Sequence, residues 1–209
     1  MQPDLETQPP ARDRRVRRSR SALMRAAVAL VTERGTATVP ISEIAEAADV
    51  SRRVVYQHFG DRDALLLDAA LDLARRELLP RLADAPRAVT GRERALAMSR
   101  HFADHRVFYR ALFTGSCAFA LERGLTGLLL PVNRQNITHL YGEGLSPQTA
   151  EDLATFWTGG GSAFVTAWVV DGADPLDPEA FTDRLLRMMT VLTTAARRPA
   201  GASEEEAPR

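Results

Sequence analysis

Three observations on this sequence of 209 residues predict an all-α fold. Apolar residues recur at three- and four-residue spacing, and no stretch shows the strict alternation of a half-buried strand. Serine, aspartate, proline and glycine fall where helices start and stop, with no hairpin-turn signals between them. One stretch, ISEIAEAADVSRRVVYQHF from Ile41 to Phe59, reads as two short helices joined by a tight reversal, the layout called helix-turn-helix.

Residues 1 to about 17 hold prolines, glutamines and charges without apolar periodicity, which predicts a disordered arm. At its end lie Arg12, Arg14, Arg15, Arg17, Arg18 and Arg20, opposed only by Asp13. Such an arm could lie along phosphates or enter a minor groove. The first helix should run from about Arg20 to Glu33, burying Leu23, Ala27, Leu30 and Val31, with Gly35 as its stop. The helix-turn-helix follows, and Pro40 suits the first turn of its opening helix. Gly60 ends the second motif helix. Asp61 can cap the next one, which begins at Arg62 and continues through LLLDAALDLARRELL to Pro80. A loop is expected over Ala83 to Gly91. Further helices are expected over Arg92 to Asp104, Arg106 to Phe113, Ala118 to Leu130 and Pro131 to Tyr141. Ser146-Pro147 opens a long helix that Asp171-Gly172 closes. Asp177-Pro178-Glu179 opens the last, which runs to about Ala196.

Within the motif, Ile41, Ile44, Ala45 and Ala48 form the apolar stripe of the first helix. Asp49 stands where the chain must reverse, and aspartate tolerates a left-handed backbone better than most residues. Ser51 is a ready N-cap for the second helix, with Val55 and Phe59 turned inward. Arg52, Arg53, Val54, Tyr56, Gln57 and His58 are left on or beside the outer side, a mix suited to phosphates and base edges. The expected sorting puts Tyr56, His58 and Arg62 on phosphates. Arg52, Arg53, Val54 and Gln57 then reach into the groove.

The segment IAEAADVSRRVVYQHFGDRDALL closely resembles the DNA-binding segment of the tetracycline-repressor (TetR) family of bacterial transcription regulators. The resemblance covers about residues 18 to 70 in detail. It departs at Asp49, where the family usually has glycine, and at Pro40, where threonine is frequent. The family commonly has a phosphate-gripping lysine where this chain has Arg62, which can do the same job. The resemblance implies a homodimeric regulator, most often a repressor, that binds a palindromic double-stranded operator and responds to a small-molecule effector. It implies a helix-turn-helix domain over 18–66 after the arm 1–17, a helical ligand-binding and dimerisation domain over 67–198, and a disordered tail over 199–209. An effector pocket among the middle helices is also implied. Candidates for its lining are Phe102, His105, Phe108, Tyr109, Asn136, His139, Trp157 and Phe164.

Composition narrows the alternatives. Formal charge sums to zero and every Lys+Arg residue is arginine, so DNA contact has to come from local clustering. The single Cys117 excludes an internal disulfide and a cysteine-cluster metal site, and fits a cytoplasmic protein. No apolar run has membrane-spanning length. No catalytic motif is present: Gly159-Gly160-Gly161 lies inside a helical pattern without a following lysine. His101 and His105, four apart, have metal-ligand spacing but no supporting acidic motif, and are expected to line a cavity or its rim. No metal and no cofactor is expected. The three consecutive glycines cost roughly 3 kcal/mol in a helix interior, so a close helix, a ligand or a kink should account for them. The competing function class is a helical small-molecule-binding or interaction protein without useful DNA affinity.

Overall fold

The computed structural model describes residues 11–83, 91–141 and 144–195, and among these there is no strand. The elements are α1 (Ala11–Arg34), α2 (Ile41–Ala47), α3 (Arg52–Phe59), α4 (Arg62–Leu73), a π-helical turn (Ala74–Leu78), α5 (Leu79–Ala83), α6 (Gly91–Asp104), α7 (Arg106–Phe113), α8 (Ala118–Tyr141), α9 (Pro147–Asp171) and α10 (Pro178–Ala195). None is long and apolar enough to cross a membrane. The expected loop over 83–91 lies almost wholly outside the described residues, as do most of the N-terminal arm and all of the C-terminal tail.

Leu23, Ala27 and Val31 on one face of α1 are fully buried. They pack with Ile44 of α2, Val55 of α3, and Leu65, Leu66 and Ala69 of α4. Burial of these apolar faces drives the assembly, since helices as short as α2 and α3 are marginal alone. The same core continues along α4 into a larger helical body through Leu73, Leu78, Phe108, Tyr109, Leu112 and Leu121. Gly124 allows α8 to cross α4 closely: a Cβ there would lie 3.0 Å from both methyl carbons of Leu71. Arg106 of α7 secures the end of α9, donating to the carbonyls of Gly172 at 2.6 Å and Ala173 at 3.1 Å, and to Asp174 at 2.9 Å. A cation there also suits the negative end of the α9 dipole.

Several boundaries differ from expectation, each for an identifiable reason. α1 is helical already at Ala11, the first described residue, well before Arg20, so the arginines from Arg14 to Arg20 stand on a helix. Arginine is a good helix former, and an exposed helical extension needs no apolar stripe. Pro40 is the N-cap of α2 and lies outside it. Pro80 does not end the helix begun at Arg62: the chain widens into the π-helical turn and continues as α5. A proline ring crowds the carbonyl four residues back, and a widened turn there removes the crowding. α8 likewise runs through Pro131 as one helix. Gly127, four residues before it, is exposed, so water can serve the carbonyl that proline leaves without a donor.

Candidate nucleic-acid interface and ligand cavity

The reversal between α2 and α3 is made by Asp49 at φ 53°, the left-handed conformation anticipated for that residue. Gly60 (φ 83°) ends α3 with its amide bonded to Tyr56 O at 3.0 Å, and Asp61 Oδ1 caps α4 by accepting from Ala64 N at 2.8 Å. Ser51 occupies the N-cap position of α3, but its hydroxyl makes no capping bond. Val54 N donates instead to the Ser51 backbone carbonyl at 2.9 Å, which leaves the exposed hydroxyl available for another partner.

α3 therefore lies on the core by Val55 and presents Arg52, Arg53, Tyr56 and Gln57 to solvent, Tyr56 at 56% exposure. Val54 and His58 are less available. Val54 is half-buried against the core, and His58 is half-buried with its ring edge-on to Phe59. Burial, and then the charge of Arg20, lowers the His58 pKa from its ordinary value, which favours the uncharged ring. Arg62 is half-buried at the start of α4, with its Nε 3.3 Å from Asp63 Oδ1. Arg20 has a structural role that spacing did not indicate. Its Nη1 donates to His58 O at 2.8 Å, its Nη2 to Asp68 Oδ2 at 2.6 Å, and its guanidinium lies 4.4 Å from the Phe59 ring centre. One residue of α1 thus ties the end of α3 to α4.

A cavity of about 570 Å³ lies among α5, α6, α8, α9 and α10. Its walls are mainly apolar, from Leu82, Met98, Phe102, Leu125, Leu129 and Val165, with Arg94, Asn133, Asn136 and Thr158 among its polar groups. Four of the expected lining residues are there: Phe102, Asn136, His139 and Trp157. Phe108 and Tyr109 do not line it, being fully buried in the core, and Phe164 stacks on Phe181 at 5.2 Å instead. Gly161 faces the cavity, whereas Gly159 and Gly160 are exposed with open space where a Cβ would stand. α9 passes through all three as one helix, so no break accounts for them.

His101 and His105 do not line the cavity either. His105 Nε2 meets Glu77 Oε2 at 2.8 Å, and buried His101 Nε2 meets the Tyr109 hydroxyl at 3.0 Å. That hydroxyl also faces Ala70 O at 3.4 Å, and the buried His101 Nδ1 has no partner. Burial first, and then the nearby His105, pushes the His101 pKa down to about 4. Burial works to raise the Glu77 carboxyl, but the His105 bond and surrounding positive charge hold it below its ordinary value. One ligand atom from each of Glu77, His101 and His105 lies within 4.8 Å of the others, a spacing that could accept a metal ion. The bonds already made describe a polar strut between the π-helical turn and α6–α7. Spacing along the chain could not reveal it, because Glu77 lies 28 residues from His105.

Residues 23–74 match the family model of bacterial regulatory proteins of the tetR family. No curated protein sequence matches the chain. Among solved structures, RolR in complex with resorcinol is similar at a TM-score of 0.63 and 23% identity, over 94% of this chain and 100% of that one. The dihydroxyacetone kinase operon activator DhaS gives 0.61 at 13% identity, over 85% and 97%. A tetR-family regulator from Streptomyces coelicolor gives 0.59 at 21%, over 85% and 82%. These likenesses establish a shared fold.

Proposed function

We propose, from the match of residues 23–74 to the family model of bacterial regulatory proteins of the tetR family, a homodimeric transcriptional repressor that a small molecule releases from a palindromic operator. The observation that carries the reading is α3 itself: Arg52, Arg53, Tyr56 and Gln57 stand exposed on a helix fixed to the core through Val55. In the operator complex Arg52, Arg53 and Gln57 reach base edges, while Tyr56 and Arg62 hold phosphates. Val54 and His58 border that surface, and the Ser51 hydroxyl adds a further phosphate donor. The DNA-binding domain then spans residues 18–66 and the ligand-binding and dimerisation domain 67–198.

The cavity supports the ligand-responsive part of the proposal. A volume of about 570 Å³ falls within the range of sites that enclose drug-sized ligands. Leu82 lines the cavity from α5, on the same helical rod that begins at Arg62 beside α3. α8, which supplies Leu125 and Leu129, touches the rod again where Gly124 meets Leu71. A ligand that prefers one tilt of this rod therefore prefers one position of α3, and only such differential affinity changes DNA binding. Dimerisation through α9 and α10 is supported by the exposed α9 stripe of Phe156, Gly160, Ala163 and Ala167, Phe156 at 66% exposure. Small residues there would let a partner helix approach closely, which gives Gly160 a use.

Selection of DNA from a random library by the purified full chain tests the reading. The retained sequences should be two-fold symmetric, with half-sites about 34–36 Å apart. Absence of any enriched sequence would reject it.

A further inference from the structure

We infer that the cavity takes an anionic ligand, an apolar body ending in one carboxylate, with Arg94 as the group that receives the carboxylate. This rests on reading the cavity as the effector site. Arg94 belongs to α6 and is half-buried in the cavity wall. Its Nη1 donates to Asn136 Oδ1 at 2.6 Å, while its Nε is buried and has no partner. A buried guanidinium donor without an acceptor is rare, because removal from water has to be matched by a bond.

The arginines that flank it on the same helix are placed differently. Arg92 pairs with Glu179 and Asp183, and Arg100 pairs with Glu179, all on the outer side of α10. Among the described residues no carboxylate pairs with Arg94, whereas Arg92 and Arg100, turned outward, have theirs.

The neighbouring amides sharpen the ligand's chemistry. Asn136 spends its oxygen on Arg94, so its remaining group is an amide donor beside the guanidinium. Asn133 is occupied, donating from Nδ2 to Thr158 Oγ1 at 2.9 Å, and that hydroxyl donates on to Ala154 O at 2.6 Å. Around Arg94 the cavity thus offers donors, the guanidinium and the Asn136 amide, and these ask for acceptors. A guanidinium edge matches the two oxygens of a carboxylate, and the rest of the lining, Met98, Phe102, Leu125, Leu129 and Val132, matches a hydrocarbon or aryl body.

The test is direct binding to the full chain. The probes are aliphatic carboxylates from octanoate to palmitate and 2-naphthoate, each beside the alcohol of the same skeleton, read by calorimetry and by the fluorescence of Trp157 in the cavity wall. At least one acid should bind ten- to a hundredfold more tightly than its alcohol. Arg94→Met should abolish that preference, with an unchanged helical circular-dichroism spectrum and thermal transition showing that the variant is folded. Asn136→Asp, which gives Arg94 an internal carboxylate, should abolish it too with the arginine intact. Equal affinity for acid and alcohol, a preference that survives Arg94→Met, or no binding by any acid overturns the inference. Operator affinity is measured separately. An acid that binds through Arg94 without changing operator affinity supports the inference and refutes the effector reading of the cavity.

Discussion

Replacing Arg20 by alanine tests whether the recognition helix is held from α1. The substitution removes the donor to His58 O, the ion pair with Asp68 and the stacking on Phe59. A hydrogen bond from a charged group is worth about 1.5–3 kcal/mol. The ion pair, with side chains 35% and 40% exposed, adds less than about 1 kcal/mol after solvent screening. The cation–π contact adds roughly 0.5–1 kcal/mol. The three share one side chain and overlap, so the expected loss is about 2–3 kcal/mol rather than their sum. Urea denaturation of the wild type, Arg20→Ala, Asp68→Asn and the double variant separates them. Asp68→Asn alone should cost less than about 1 kcal/mol. Arg20→Ala should also weaken operator binding, because the end of α3 loses its tie to α4 while every exposed α3 side chain is retained. A stability change within about 0.5 kcal/mol, the range of an ordinary surface substitution, would refute the reasoning.

Three further outcomes follow from the same geometry. Arg62→Ala should weaken binding to all DNA sequences alike and reduce the salt slope, whereas Arg53→Ala or Gln57→Ala should relax preference at particular base pairs by about 1–3 kcal/mol each; competition with single-base operator variants separates the two patterns. His101 is neutral in the folded chain down to about pH 4, while in the unfolded chain it takes up its proton near its ordinary value of 6.5. The unfolded state therefore binds more protons between those limits, and its stability contribution is lost as pH falls from about 6.5 to 4, by up to roughly 1.4 kcal/mol per pH unit. Denaturation across that window should show the decline, and His101→Gln should flatten it. Gly172→Ala puts a Cβ 2.3 Å from Trp168 O and 2.7 Å from a Leu176 methyl, so thermal unfolding should show a loss of about 1–3 kcal/mol.

What the sequence made legible was local. Ser146 and Asp177 cap α9 and α10 through bonds to amides two or three residues ahead, so both helix starts could be read from a few neighbouring letters. Asp49 and Gly60 follow the same logic, as does the burial of Val55 under an exposed recognition face. Ser51 shows the limit of that logic, since its residue type fits a cap that its hydroxyl does not make. Pro80 and Pro131 read as breaks because proline disfavours a helix interior. Whether the chain stops or widens is decided by what packs around it, and α4–α5 and α8 are both packed on the core. His101 and His105 showed metal-ligand spacing, but their partners, Tyr109 and Glu77, come from α7 and the π-helical turn. The cavity was legible only as a tendency. Phe102 and Phe108 are equally apolar, and the crossing of helices alone puts the first at the cavity and the second in the core.

The most direct measurement is a salt-titrated competition between the selected operator and a scrambled sequence of the same composition, using the full chain. The account predicts that the operator binds about 10³-fold or more tightly than the scrambled sequence at physiological salt, with both affinities falling linearly against salt on logarithmic axes. Equal affinity for the two sequences, or affinity that does not respond to salt, would contradict it.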